Sequence, residues 1–254
     1  MTRTTPLNTT TILDTMSMSQ EEFADRQEEL LAVVTGIMRP YTEQQAEGLN
    51  RIARLVELAE RISAPGVVLS LLGKDAENAA QDILRAAVIL THAHLEEFLR
   101  TMARVLLPEG DEACLNEIPL AGLGGRKQNF PLGKLVQHRG KTVDEVLRAS
   151  VSEYLERSNY NSTEEISLFL RSIGFNASDH NKDFAAIQAM IERRHQIVHR
   201  ADRFETVDST SLKPIKVGEV SRWHTATQDF MHSLYRPLLD RLISLEVARD
   251  TPQP

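Results

Sequence analysis

Residues 191–202, with the sequence IERRHQIVHRAD, bring together side chains that can cleave a phosphodiester. His195 and His199 are four residues apart, and Arg194 directly precedes the first histidine. Cleavage of RNA without a metal needs a base for the 2′-hydroxyl proton, an acid for the leaving 5′-oxygen and a cation for the charged transition state. Histidine titrates in the right range for the first two tasks, and arginine binds phosphate in bidentate fashion. The stretch is therefore a candidate ribonuclease site.

Helical geometry places Arg194 in an apolar face. At ~100° per residue, one apolar arc is formed by Ile187, Met190, Ile191, Ile197 and Val198. Arg194 projects from near the centre of that arc, where a guanidinium has to meet a carboxylate, a wet cleft, a phosphate or a partner chain. Arg194 and His199 are ~140° apart around the helix axis, so they converge only if the arginine bends or a second copy supplies the facing half. This favours a twofold dimer with a shared cleft.

Other interpretations of the same stretch compete with catalysis. His195, His199 and Asp202 have the spacing of a two-histidine, one-carboxylate metal site. The adjacent arginine repels a cation, so we expect no metal, and the chemistry calls for no other cofactor. Arg193 and Arg200 point away from the apolar arc and are predicted to be solvated surface charges.

A helix upstream offers further charged residues. Glu97 and Arg104 are seven residues apart and therefore share a helix face. They either form a structural ion pair or line the groove and hold Arg194. His92 and Glu96, four residues apart, are predicted to form a surface pair.

The overall charge limits how the chain can meet nucleic acid. A net charge of −7 argues against a protein that coats RNA or DNA non-specifically, so any contact must be local. A basic cluster in the Gly- and Pro-rich segment 108–141 comprises Arg126, Lys127, Lys134, His138, Arg139 and Lys141. These side chains either follow an RNA backbone or belong to a solvated loop.

Helical periodicity runs through nearly the whole chain, and no alternating pattern forces a strand, so the predicted class is all-α. Residues 1–18 are predicted to be a disordered leader and residues 249–254 a tail. Two periodic stretches that stop at Pro40 and Pro65 predict a helical hairpin over residues 19–70. Pro237 is expected to kink or divide the last helix. A central helix of roughly thirty residues is predicted from a stripe of Leu84, Val88, Leu95, Leu99, Met102 and Leu106.

Arg194 and His199, with the polar His195 directly after the arginine, resemble the R-x4-6-H motif of HEPN domains, the helical domains of many prokaryotic toxins and defence ribonucleases. The segments RRHQIVHRAD and ILRAAVILTHAHLEEFLR look closest to the RiboL-PSP-type branch. The resemblance covers residues 75–248 and implies a bundle of four or five long helices, with the N-terminal hairpin as an addition. It also implies a homodimer in which motifs from both protomers line one groove, and metal-independent endoribonuclease activity that leaves a 2′,3′-cyclic phosphate.

The same resemblance assigns roles within the motif. Arg194 would stabilise the scissile phosphate, His199 would be the acid or base, and His195, which stands where many relatives have Asn or Asp, would orient them. The expected protein is toxin-like or related to phage defence. Some relatives use the fold only for binding, so a non-catalytic module for RNA, a nucleotide or a partner protein is the alternative.

The expected partners are RNA, a second copy of the chain and an antitoxin or other regulatory protein. The expected compartment is the cytoplasm, because no signal segment is recognisable at the N-terminus. No membrane role is expected, since no apolar run approaches the ~20 residues that span a bilayer.

Overall fold

The structure, a computed structural model, describes residues 20–64, 75–122, 132–204 and 211–250. These ranges are helical and hold no strand, only an isolated bridge between Arg203 and Leu212. The all-α prediction is confirmed. The α-helices are α1 Gln20–Ser63, α2 Ala76–Leu106, α3 Glu112–Leu115, α4 Val143–Glu156, α5 Thr163–Ser172, α6 Phe184–Arg200 and α7 Val217–Asp250. The 3-10 segments are Leu107–Glu109, Leu132–His138, Ala177–Asp179 and Asn181–Asp183.

The chain divides into two units, and all three candidate catalytic residues, Arg194, His195 and His199, belong to the larger one, residues 41–238. The smaller unit comprises residues 1–40 and 239–254. Its described residues are helical, and Val34, Met38 and Leu242 are buried there. The predicted leader 1–18 lies outside the described residues, as does residue 251 onward of the predicted tail. Across the described part of the chain, no helix has the length and apolarity to cross a bilayer.

The N-terminal hairpin prediction is wrong, because α1 continues through Pro40 as one helix of 44 residues. A proline inside a helix removes one backbone hydrogen bond and costs about 3 kcal/mol. Beyond Pro40 the apolar stripe carries on, and Leu49, Ile52 and Val56 are buried. Burial of such side chains stabilises by about 1.5–3 kcal/mol each, which outweighs the local cost of the proline.

The last helix also continues through a proline. α7 is not divided at Pro237, which lies inside a helix of 34 residues. Phe230, Leu234 and Leu238 are all buried on that helix. Their spacing of four residues places them on one face, so core packing continues past the missing hydrogen bond.

α2 is the centre of the larger unit, and its predicted stripe is confirmed. All six residues of the stripe are buried, with Leu95 and Leu99 fully inaccessible. α2 packs against α6 and against α4. The helices on its flanks start where their sequences predict: Thr142 and Glu145 form a capping box at α4, and Ser162 caps α5. The packing between α2 and α6 places α6 directly on the central helix.

α1 approaches α2 closely at Gly48. A Cβ atom at Gly48 would overlap the imidazole of His94, whose Nε2 donates to the Gln45 carbonyl at 3.0 Å. The His94 ring therefore lies against bare backbone, and only glycine leaves room for it.

We expect Gly48→Ala to destabilise the protein by about 1–3 kcal/mol, because the new methyl group displaces the His94 ring. Gly36→Ala is the matched control, since Gly36 also lies in α1 but has nothing within 4 Å of its Cβ position. There the helix preference for alanine should stabilise by about 0.5–1 kcal/mol. Urea unfolding measures the change in the free energy of unfolding for both variants. If both substitutions stabilise the protein, α1 and α2 do not approach closely at Gly48.

Candidate functional site

α6 ends in a strained backbone turn. Ala201 and Asp202, the two residues after the helix, both have positive φ, 50° and 56°. Non-glycine residues in this region cost about 1–3 kcal/mol each, so the surrounding structure has to hold them there. The amides of both residues donate to the Gln196 carbonyl, which satisfies an orphan acceptor of the last helical turn.

A buried ion-pair network holds that turn. The Asp202 Oδ2 atom accepts from Arg85 Nε on α2 at 2.7 Å and from Arg193 Nη2 on α6 at 2.9 Å. Both guanidinium groups also donate to the Lys213 carbonyl, at 3.0 Å and 2.8 Å. We call Arg85, Arg193, Asp202 and the Lys213 backbone the Asp202 clasp. It fastens the end of α6 to the central helix and to the segment that leads into α7.

The clasp corrects the prediction for Arg193 and removes Asp202 from the alternative metal site. Arg193 is not a solvated surface charge, because its side chain is only 14% exposed and pairs with Asp202. Asp202 faces inward, away from solvent, and is 1% exposed. The metal stripe with His195 and His199 is therefore not assembled, and no group of three metal-ligating side chains occurs in the described parts of the chain. Arg200 is exposed, as predicted.

Arg194, one residue further along α6, has a different environment. It is half-buried, and its Nε is shielded from solvent without a hydrogen-bond partner. No hydrogen bond or ion pair to its guanidinium occurs among the residues that the structure describes. The neighbouring ionisable group is His92 on α2. An arginine without a carboxylate, at the edge of the core, is a cation available to an anionic ligand.

His195 and His199 lie side by side on the exposed face of α6. Their ring centroids are 4.6 Å apart, with the planes tilted by 45°. Both side chains are open to solvent, so a substrate can reach either imidazole. The structure thus brings the two histidines together and leaves Arg194 on the adjacent, inward-facing side of the same helix.

A buried histidine on α2, His92, lies within the electrostatic reach of Arg194 and was not expected from the sequence. His92 is 1% exposed, so the predicted surface pair with Glu96 is wrong. Its Nε2 donates to the Tyr160 carbonyl at 3.1 Å, and its Nδ1 lies 3.8 Å from Glu96 Oε2 without a hydrogen bond. A signal was present in the sequence, because position 92 falls four residues after Val88 on the central stripe.

The pKa of His92 is lowered from its ordinary value. Burial is the main cause, because it disfavours the charged imidazole. Glu96 and the hydrogen bond to the Tyr160 backbone oppose this shift, and the positive charge of Arg194 adds to it. His92 is therefore a neutral group at neutral pH.

The remaining predicted site residues lie elsewhere. Arg104 Nη1 donates to Glu97 Oε1 at 2.8 Å, so these two residues form the ion pair that the sequence offered as one interpretation. Glu97 does not bond Arg194, and a groove-lining role for the pair stays a prediction.

The basic cluster is only partly described. Arg126 and Lys127 lie outside the described residues, whereas Lys134, Arg139 and Lys141 are exposed. His138 does not belong to that surface, because it is buried beside Gln137. The prediction that the exposed members bind RNA stays a prediction.

Comparison with known families decides the assignment. The family model described as RiboL-PSP-HEPN matches residues 51–239, which is well over half of the chain. The chain belongs to the RiboL-PSP-HEPN family. The HEPN match begins inside α1 and includes α2, the Asp202 clasp and the whole of α6. No curated protein and no solved structure gives a significant match.

The clasp of this HEPN chain should dominate its stability. Asp202→Ala leaves two buried guanidinium groups without their shared carboxylate, and we expect a loss of about 3–5 kcal/mol. Asp82→Ala is the matched control, because Asp82 also pairs with Arg85, at 3.1 Å, but is 70% exposed. An exposed pair contributes only about 0.2–1 kcal/mol. Equal shifts in the urea midpoints of the two variants would contradict the clasp.

The buried histidines should make the fold sensitive to acid. Because the pKa of His92 is lowered in the folded state, the unfolded chain takes up the proton first as the pH falls. The free energy of unfolding is therefore highest above about pH 6.5 and decreases as the pH drops through that value. His94, His180 and His224 also have lowered pKa values because of burial, and act in the same direction.

We expect His92→Gln, which keeps a donor for the Tyr160 carbonyl, to reduce this pH dependence. Urea unfolding between about pH 8 and about pH 5 measures it. His232→Gln is the control, since His232 is exposed on α7. A pH dependence as steep in His92→Gln as in the wild type would show that His92 has the same pKa in the folded and the unfolded chain.

Proposed function

We propose that this chain is a metal-independent endoribonuclease of the HEPN type. The observation that carries the proposal is the contrast between two adjacent arginines on α6. Arg193 is neutralised by Asp202, whereas Arg194 has no carboxylate partner in the described residues and precedes two exposed histidines. A cation without a counter-ion, held on a rigid helix beside two imidazoles, suits a phosphodiester better than it suits a folded core.

The proposed reaction is transfer within the RNA backbone. One imidazole takes the proton of the 2′-hydroxyl, the 2′-oxygen bonds to the adjacent phosphorus, and the bond from phosphorus to the 5′-oxygen breaks. A second acid protonates that leaving oxygen, and the product is a 2′,3′-cyclic phosphate. Arg194 binds the non-bridging oxygens as negative charge builds up, His199 is the acid or base, and His195 orients the groups.

We further propose that the working site is shared between two copies of the chain. Arg194 and His199 are ~140° apart around the axis of α6, so one helix does not direct both at one phosphate. A twofold axis beside α6 brings the arginine of one protomer towards the histidine of its partner. In the acidic chain, the exposed Lys134, Arg139 and Lys141 supply local positive charge for the RNA backbone.

The biological setting that we propose is a toxin-like or phage-defence ribonuclease in the cytoplasm, held in check by an antitoxin or another regulatory protein. Family membership supports this setting. The competing function is a HEPN module that binds RNA, a nucleotide or a protein without cutting, and the same experiment separates the two.

We expect purified protein to cleave labelled RNA in EDTA, and both Arg194→Ala and His199→Ala to lower the rate by about 10²–10³-fold. Arg222→Ala and His232→Ala are matched controls, because they remove the same residue types from exposed positions of α7. The controls should cleave normally, and all four variants should keep the wild-type melting temperature. A folded wild type that cuts neither single-stranded nor structured RNA would favour the binding module.

Mixing the two inactive variants tests the shared site. A dimer has two composite sites, each with the arginine of one protomer and the histidine of its partner. In a mixed dimer, one of these sites carries both substitutions and the other carries none, so about a quarter of the wild-type rate should return. Absence of recovery between variants that do exchange subunits would place Arg194 and His199 of one protomer in the same site.

A further inference from the structure

A second concave site lies away from α6. A cleft of about 560 Å³ is bounded by residues 107–120, the end of α4, the connection after it and α5. None of the described residues that line this cleft belongs to α6. The volume is within the ~300–1,000 Å³ of small-molecule sites. The cleft is therefore large enough for a ligand, and it is separate from the candidate catalytic site on α6.

The polar part of the cleft is acidic. Its walls carry three carboxylates, Glu117, Glu153 and Glu165, and one guanidinium, Arg157, which gives a net charge of −2. Burial raises the pKa of the Cys114 thiol in the same wall, and Asp111 adds to that shift, so the thiol is neutral. The charge of the cleft excludes an anion such as a phosphate and favours a cation.

The hydrogen bonds show which carboxylates remain available. Glu153 is used on both oxygens, by Arg157 at 3.0 Å and by the Gly122 amide at 2.7 Å. Glu165 accepts from the Asn161 amide through Oε2 only. Glu117 has no hydrogen bond or ion pair within the ranges that the structure describes. A ligand can thus reach Glu117 and the second oxygen of Glu165.

The rest of the wall is aromatic and aliphatic. Tyr160 and Phe169 meet edge to face, with ring centroids 5.2 Å apart. Tyr154 adds a second phenol ring, and Leu168 is a 55% exposed aliphatic side chain in the same wall. Ring faces attract cations, and the apolar wall favours a ligand with an apolar body.

We propose that this cleft binds an organic cation, an amidinium, guanidinium or ammonium group on an aromatic or aliphatic body. The cation lies against Glu117 and Glu165, and the body packs on Tyr154 and Leu168, which keep exposed surface in this wall, whereas the Tyr160 and Phe169 rings are buried beneath it. A free small molecule and a basic side chain of a bound peptide share this chemistry. The binding claim is independent of the ribonuclease proposal.

The cleft is joined to α2 behind the motif. Arg100 Nη2 donates to the Ser158 carbonyl at 2.9 Å, and the Tyr160 amide donates to Glu96 Oε1 at 3.2 Å. The Tyr160 carbonyl accepts from His92, the group whose pKa responds to Arg194. A ligand that displaces residues 158–160 therefore also disturbs the hydrogen bond of His92, whose pKa the charge of Arg194 lowers.

The test is titration of the full chain with benzamidine, followed by amide and imidazole NMR. We expect saturable shifts at the amides of residues 158–160 and at the His92 ring, with a Kd of about 1 mM for a fragment of this size. Benzyl alcohol and benzoate are the neutral and anionic controls. A capped arginine peptide tests whether the cation comes from a peptide or from a small molecule. Tighter binding of the peptide than of benzamidine would identify a basic side chain as the natural occupant. Weaker binding of the peptide would identify an aromatic cation.

Two variants locate the site. Glu117→Gln should weaken benzamidine binding roughly two- to fivefold, because an exposed carboxylate contributes modestly. Leu168→Lys places a like charge in the wall and should weaken it roughly tenfold. Leu135→Lys, at an exposed leucine outside the cleft, should change nothing. If Leu168→Lys fails to fold, Glu117→Gln decides alone.

The proposal is overturned by equal affinity for benzyl alcohol and benzamidine, by unchanged affinity in Glu117→Gln, or by no shifts at residues 158–160. Shifts at those amides with none at His92 support the cation site and refute its link to α6.

Discussion

One carboxylate holds the larger unit together at the point where its function is proposed to lie. Asp202 accepts hydrogen bonds from Arg85 and Arg193 through the same oxygen, and both guanidinium groups also donate to the Lys213 carbonyl. Without this charge, two buried cations would face each other across α2 and α6. The strained turn after α6 is the geometric condition for the contact, because it brings Asp202 back under the helix end.

This arrangement explains the unusual position of Arg194. Successive residues on a helix are ~100° apart, so a helix that directs Arg193 into the clasp necessarily directs Arg194 to a different side. The Asp202 carboxylate pairs with Arg85 and Arg193, and the charge of Arg194 acts instead on a neutral, buried histidine, His92. The cation is therefore fixed by its helix and has no counter-ion among the residues that the structure describes, as preorganised electrostatic stabilisation requires.

The sequence predicted those features that depend on local periodicity. The stripe of α2 was identified residue by residue because apolar spacing alone defines a buried helix face. The proline rule failed at Pro40, and Pro237 does not divide α7, since the rule describes the local cost of a lost hydrogen bond and ignores the packing on either side.

The site itself was only partly predictable. The motif residues share one short segment, so their spacing was visible. The ion pair of Arg193 with Asp202 could not be predicted in the same way. Arg85, the other partner of Asp202, is 117 residues away in sequence and meets it only in the folded chain. His92 was misjudged for a different reason: its type suggested the surface, although its position on the stripe indicated the core.

The adjacency of the two arginines also constrains how α6 can change through evolution. An insertion or deletion within the helix rotates everything beyond it by ~100° per residue, so it moves Arg193 away from Arg85 and Arg194 away from its present face together. A substitution, by contrast, alters one of the two and leaves the other in place. Descendants of this chain that lose the proposed cleavage but keep the fold should therefore arise by replacement of residues in α6, with the length of the helix unchanged.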